Sequence, residues 1–153
     1  METMPKVIST NHTSFTVSDL DQSLAFFRDV LGFDVTSKAP RAPDLIQNIT
    51  GVDDAEVMIA YVRGPGHSVE LIEFINPEKR ETFRPRACDL GFYHIAYDVE
   101  GLDQLIHDAG HYGVFPEGKI VTIDQGPNAG ARIVYLRDRD GITFEFIEKP
   151  TAL

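Results

Sequence analysis

The feature that most constrains this chain is that it contains one pattern twice. Residues 137–148, R-D-R-D-G-I-T-F-E-F-I-E, lie over residues 66–74 so that Gly141 matches Gly66, Glu145 matches Glu70 and Glu148 matches Glu73. In both places a turn glycine is followed by an alternating strand with a carboxylate four residues in. A second match supports the first. Residues 11–20, N-H-T-S-F-T-V-S-D-L, lie over residues 93–102, Y-H-I-A-Y-D-V-E-G-L, pairing His12 with His94 and Val17 with Val99. The chain therefore reads as two copies of a module that opens on a strand carrying a histidine and closes on a strand carrying a glutamate. At 153 residues it fits one ordinary domain, or two half-size modules sharing a core.

In chain order, residues 7–17 alternate as a strand, with His12 sharing a face with Ser14 and Thr16. Asp19 or Asp21 then caps a helix whose Leu24, Phe27, Val30 and Leu31 fall on one face, and Gly32 follows where a C-terminal glycine belongs. A short strand over residues 33–37 leads into residues 38–55, read as a loop with one helical turn. That loop suits a lid or a dimer contact as readily as a plain connector. Residues 56–63 and 67–75 form a hairpin across G-P-G. Residues 76–91 are polar and proline-punctuated and read as a linker.

The second module repeats the order: a strand over residues 92–99, a helix over 102–109 stopped at Gly110, strands near 112–115, 119–124 and 131–137, and a last strand over 143–147. The turn D-R-D-G places Gly141 at a positive-φ position. The domain organisation is thus one domain over residues 1–153, with βαβββ modules at 7–75 and 92–148 joined by the linker.

Composition narrows the function classes. With 24 acidic against 14 basic residues the net charge is −10, which excludes a nucleic-acid backbone as partner. The single cysteine, Cys88, is read as a small semi-buried residue that forms no internal disulfide, as in a reducing compartment. No apolar run suits a signal peptide or approaches the ~20 residues of a membrane span. The expected location is the cytoplasm, with no membrane partner.

A duplicated βαβββ module with these histidines and glutamates resembles the vicinal oxygen chelate superfamily, which includes glyoxalase I, methylmalonyl-CoA epimerase, extradiol dioxygenases and bleomycin-resistance proteins. The resemblance covers about residues 7–148. It is carried most specifically by Y-L-R-D-R-D-G-I-T-F-E-F (residues 135–146) and G-F-Y-H-I-A-Y-D-V (residues 91–99). Arg139 departs from the family's usual proline, a change that alters the stiffness of the turn more than its geometry. The implied fold is α+β: two tandem modules forming a curved, partly open mixed β-sheet barrel with flanking helices. A homodimer is implied by the same pattern.

The resemblance also places the family's metal ligands on His12, Glu70, His94 and Glu145. Two imidazoles and two carboxylates suit a divalent Zn, Ni, Co, Fe(II) or Mn ion, with positions left for water or substrate. Glu73 and Glu148 fall on the opposite strand face and read as structural or solvated, while His67, His107 and His111 lie outside the repeat and read as surface residues. Two neutral imidazoles and two carboxylates around a dication carry no net charge, so an anionic enediolate oxygen binds there without much penalty. The implied activity is a glyoxalase I-type isomerase, lyase or epimerase acting on a small-molecule substrate. It abstracts a proton next to a carbonyl through a metal-stabilised enediolate, with Glu145 or Glu70 as base.

One alternative is an Fe(II) extradiol dioxygenase using His12, His94 and Glu145, with Tyr135 where those enzymes place a tyrosine just behind the metal ligands. Glu70 would then fill a position that O₂ chemistry needs open, and residues 76–93 hold no additional histidine. Another is a non-catalytic binder of the bleomycin-resistance type, a group that usually lacks the full ligand set. Arg41, Arg63, Arg84, Arg86, Lys119 and Arg132 are the candidate anion clamps.

Overall fold

The computed structural model describes residues 1–151 of the chain. It divides into two compact units, the first Met1–Glu78 and the second from Lys79 onward. The class is α+β, with three α-helices and two open mixed sheets among the described residues.

In the first unit β1 (His12–Thr16) is followed by α1 (Leu20–Ala25), β2 (Asp34–Pro40), α2 (Pro43–Thr50), β3 (Glu56–Gly64) and β4 (His67–Asn76). The sheet order is β1-β4-β3-β2. Only β1 against β4 is parallel; the other pairs are antiparallel. The second unit has β5 (Ile95–Asp98), α3 (Leu102–Gly110), β6 (Phe115–Pro116), β7 (Val121–Thr122), β8 (Arg132–Arg137) and β9 (Thr143–Glu148). Its order is β5-β9-β8-β6 with β7 also on β8, and again the first strand lies parallel to the last.

Alternation explains both sheets. On β4, Val69 and Leu71 are fully buried, and on β9 Phe144 and Phe146 are, which leaves Glu70 and Glu145 on the opposite faces. Each such apolar side chain contributes roughly 1.5–3 kcal/mol by leaving water. Asp19 caps α1, its carboxylate accepting from Gln22 N at 3.0 Å. Beyond Ala25 the helix widens to a π-helical segment, Phe26–Val30, closed by Leu31 N donating to Phe26 O. That widening turns the consecutive Phe26 and Phe27 both inward.

Several elements differ from the sequence expectation. β1 begins at His12 rather than at residue 7, because its partner β4 begins at His67 and offers nothing further to pair with; Val7 and Ile8 stay exposed. Residues 43–50 make two helical turns rather than one. Pro43 sits in the first turn, Gly51 closes the end in the left-handed conformation, and Ile46 buries against Ala55, Val57 and Ile59. β5 covers four residues, so His94 lies just before it. The strand expected near 119–124 is reduced to Val121–Thr122, and Cys88 is exposed rather than semi-buried. No helix among the described residues is long and apolar enough to cross a membrane.

The second pair of repeated glutamates has a defined structural task. Glu148 Oε2 accepts from Leu102 N at 2.7 Å, and Glu73 Oε1 accepts from Leu20 N at 3.4 Å. In both units a carboxylate on the last strand therefore meets the first turn of the helix after the first strand. The two differ because α3 starts from Gly101, which has no side chain to cap with, whereas α1 has Asp19. Glu148 also accepts from Arg132 at 2.9 Å. Replacing Glu148 by alanine is expected to cost about 1–2 kcal/mol in urea unfolding, and Glu73→Ala about 0.5 kcal/mol or less; equal losses would contradict this account of the caps.

Candidate functional site

Each candidate pair is assembled by the parallel pairing of first strand with last. In the first unit Ser14 lies opposite Glu70 across β1 and β4, and His12, two residues earlier on the same face, brings Nε2 to 3.7 Å from Glu70 Oε1. In the second unit Ala96 lies opposite Glu145 across β5 and β9, and His94 Nε2 stands 3.9 Å from Glu145 Oε2. The carboxylate side chains are 14% and 19% exposed and the imidazoles 29% and 32%. Both pairs are therefore partly covered, yet open to a ligand.

Each pair also has a tyrosine on the neighbouring strand. Tyr61 lies opposite Glu70 and Tyr135 opposite Glu145. Their rings pack on the histidines, with centroids 5.4 Å apart for Tyr61 and His12 and 4.9 Å for Tyr135 and His94. The repeat thus holds a His-Glu-Tyr triplet in both units. Reading the sequence missed Tyr61, which precedes Glu70 by nine residues where Tyr135 precedes Glu145 by ten. The shorter turn Gly64–Gly66 shifts an ungapped match by one position, and strand register recovers it. Arginines follow the same rule: Arg63 lies opposite Ser68 and Arg137 opposite Thr143.

The two triplets are wired differently. Glu70 accepts from Ser14 Oγ at 2.8 Å through Oε1 and from the Tyr61 hydroxyl through Oε2. Burial first, and then the hydrogen bond and charge of Glu70, push the Tyr61 phenol up to about 12, so it remains a protonated donor. Tyr135 is raised as well, first by burial and then by the charge of Glu145. Among the described residues Glu145 receives no hydrogen bond from a side chain.

Among the described residues no group of three or more His, Cys, Asp or Glu side chains gathers as a metal site; what is present is one pair in each unit. The donor chemistry of each pair fits a divalent ion. Asn11 Oδ1 lies 2.6 Å from His12 Nδ1, which suits the tautomer protonated at Nδ1 and leaves the Nε2 lone pair facing Glu70. Two ligands bound at about 2.1 Å each can stand no more than about 4.2 Å apart, and both nitrogen–oxygen separations fall inside that limit.

The other candidates resolve individually. His67 is half-buried rather than a plain surface residue, its Nε2 2.8 Å from Thr13 Oγ1, since both alternate onto the core-facing side of their strands. His107 and His111 pack ring against ring on the exposed end of α3. Arg86 is paired with Asp89, and Arg132 with Asp103 and Glu148. Arg41 and Arg84 donate to backbone carbonyls, and Arg63 donates to Ser68. Lys119 lines a cavity of about 390 Å³ walled by Val121, Ile123, Ile133 and Tyr135. Arg137, not among the sequence candidates, is 8% exposed and donates to Pro85 O at 2.7 Å and Thr143 Oγ1 at 3.1 Å. Its guanidinium also lies over Phe92, so it fastens the segment that delivers His94 onto the β8–β9 hairpin.

With this geometry the chain belongs to the Glyoxalase/Bleomycin resistance protein/Dioxygenase superfamily, whose family model matches residues 9–146. It is 35% identical over 158 aligned positions to a 2-epi-5-epi-valiolone epimerase from an Actinomyces species, covering 97% of this chain and 84% of that protein. It is 25% identical over 142 positions to a lactoylglutathione lyase of Arabidopsis thaliana, covering 90% of this chain and 43% of that one. Among solved structures, a glyoxalase family protein from Bacillus cereus superposes with a TM-score of 0.84 at 25% identity, covering 99% of this chain and 100% of that one.

The turn of the β8–β9 hairpin carries a measurable charge effect. Asp138 Oδ1 accepts from Asp140 N at 2.8 Å and Ile142 N at 2.9 Å, which shapes the turn ahead of Gly141. At Gly141 φ is +87°, and a Cβ would sit 2.4 Å from Phe83 O. Burial first raises Asp138 to about 6 from its ordinary 3.8. The folded state therefore binds the proton more tightly than the unfolded chain. Its contribution to stability is complete below pH 3.8 and is lost as pH rises through about 6. Asp138→Asn keeps the accepting oxygen without the charge, so it should flatten stability across that window and raise it at pH 7 by on the order of 1 kcal/mol. Thermal unfolding from pH 4 to 7 checks this, and parallel wild-type and variant profiles would refute it.

Proposed function

We propose that the chain is a metal-dependent enzyme that moves a proton next to a carbonyl, as an isomerase, lyase or epimerase of small α-oxygenated carbonyl compounds. His12, Glu70, His94 and Glu145 are its metal ligands, and the carboxylates of Glu145 and Glu70 are its candidate bases. The observation that carries the reading is the duplicated pair: a histidine and a glutamate within 4 Å in each unit, at matching places in the repeat. It is supported by relatives named as an epimerase and as a lactoylglutathione lyase. A bound Zn, Ni, Co, Fe(II) or Mn ion would supply Lewis-acid polarisation of the substrate carbonyl.

The chain's own groups then do the rest. A carboxylate with one uncommitted oxygen accepts the proton released from carbon. Tyr61 and Tyr135, both protonated, line the pairs with donors, and the packed rings limit water around the imidazoles. The substrate is a small molecule, and a homodimer is the assembly this reading carries.

In D₂O, with 2-hydroxycyclohexanone or a methylglyoxal–thiol adduct as probe, the metal-supplemented protein should exchange the proton beside the carbonyl. Chelator-treated protein should not, and Zn, Ni, Co or Mn should restore the exchange. His12→Ala and His94→Ala should each slow it by about 10²-fold or more. Consumption of O₂ with a catechol, without such exchange, would transfer the assignment to ring cleavage.

A further inference from the structure

A second group of metal-binding side chains, outside the two His-Glu pairs, lies on α3. His107 sits in the last turn of that helix. His111, four residues on, is its C-cap with φ −68° and ψ −16°, so the helical spacing carries through both residues. Residues four apart share a helix face, and the two imidazoles stand with ring centres 5.1 Å apart at an interplanar angle of 79°. Both residues are exposed.

We propose that His107 and His111 form a two-imidazole clamp for a divalent late transition-metal ion, Ni²⁺, Cu²⁺ or Zn²⁺, and that the bound ion staples the last turn of α3. The clamp lies within the second unit and stands independently of the proton-transfer reading.

An imidazole bound through a ring nitrogen at about 2.1 Å has its centre about 3.2 Å from the ion. Two such rings, at a ligand–metal–ligand angle of about 90–110°, have centres about 4.5–5.2 Å apart, and the observed separation lies inside that range. Turning one exposed ring about its side-chain torsions brings the edge-to-face pair to convergence. Asp108 orients His107. Its Oδ1 accepts from Gln104 Nε2 at 2.8 Å and lies 3.3 Å from His107 Nδ1, which suits the tautomer protonated at Nδ1 and leaves the Nε2 lone pair for an ion. The bond from Gln104 first, and that from His107 next, hold the Asp108 carboxyl below its usual range, so an anion stays beside the rings. The carbonyl end of α3 adds partial negative charge. Imidazole nitrogen selects the later divalent metals over Mg²⁺ and Ca²⁺, which take oxygen ligands.

The helix has a use for such a staple. Its first turn is held by Glu148 through Leu102 N, whereas its last turn ends in Gly110, a residue type that weakens helices. Beyond it the chain closes on backbone bonds, His111 N to Asp108 O at 3.1 Å and Tyr112 N to Ala109 O at 2.9 Å. An ion held by residues 107 and 111 spans Gly110 and fixes this end. With two protein ligands instead of four, the clamp binds less tightly than the proposed site and fills after it.

The test uses the full chain with Ni²⁺ as the probe. Calorimetric titration of His12→Ala/His94→Ala should find one Ni²⁺ per chain. Adding His107→Ala or His111→Ala should weaken that binding by about 10-fold or more. In the wild type, Ni²⁺ in excess should broaden the ring C–H signals of His107 and His111 while leaving those of His67 sharp, and should slow amide hydrogen exchange over residues 108–114. Ni²⁺ binding unchanged by His107→Ala/His111→Ala, or an excess of Ni²⁺ that broadens neither ring, would overturn the clamp. Broadening of both rings with amide exchange unaltered would overturn the staple.

Discussion

The parallel contact between the first and last strands of each unit is the constraint on which everything else depends. β1 lies on β4 and β5 on β9, while the remaining pairs are antiparallel. A parallel pair cannot be closed by a tight turn and needs a long connection carrying a helix. That requirement puts α1 and α3 after the first strands and packs them on the face where Val69, Leu71, Phe144 and Phe146 are buried. The opposite face is then obliged to present Glu70 and Glu145, with the histidines one alternation away. One topological decision therefore separates a core face from a chemical face, and Glu73 and Glu148 tie the two together by capping the helices from the last strands.

Duplication supplies matching strand registers and lets the side chains diverge. The register places a tyrosine opposite each glutamate, but only the first unit adds a serine, so equal frames hold a restrained carboxylate and an unrestrained one. The arginine rows diverge too. Arg63 is exposed and donates to Ser68, whereas Arg137 is buried and reaches back to Pro85. In the second unit that arginine compensates for a short first strand: β5 begins after His94, and the segment before it is held by side-chain contacts instead of ladder hydrogen bonds. The positive φ at Gly141 belongs to the same economy, since the Phe83 carbonyl packs where a side chain would be.

Much of this is legible in the sequence alone, because the repeat is a statement about strand register. The matches Glu70 to Glu145 and His12 to His94, the cap at Asp19, the end signal at Gly32 and the positive φ at Gly141 all rest on local patterns that the structure uses. What was hidden depends on contacts distant in sequence. Tyr61 escaped because the two hairpin turns differ in length. The second turn of α2 escaped because its residues show one short apolar patch, and Ile46 reveals its purpose only against Val57 and Ile59. Nothing local marks Arg137, because its partner, the carbonyl of Pro85, lies far back in the chain.

The most direct test of the central claim is X-ray absorption on protein loaded with one equivalent of Zn²⁺ or Co²⁺. The proposed coordination by His12, Glu70, His94 and Glu145 predicts an all-nitrogen and oxygen shell near 2.0–2.1 Å. It also predicts outer-shell scattering from two imidazoles, falling to one in His12→Ala and in His94→Ala. A shell without imidazole scattering, or one that neither substitution alters, would contradict the assignment.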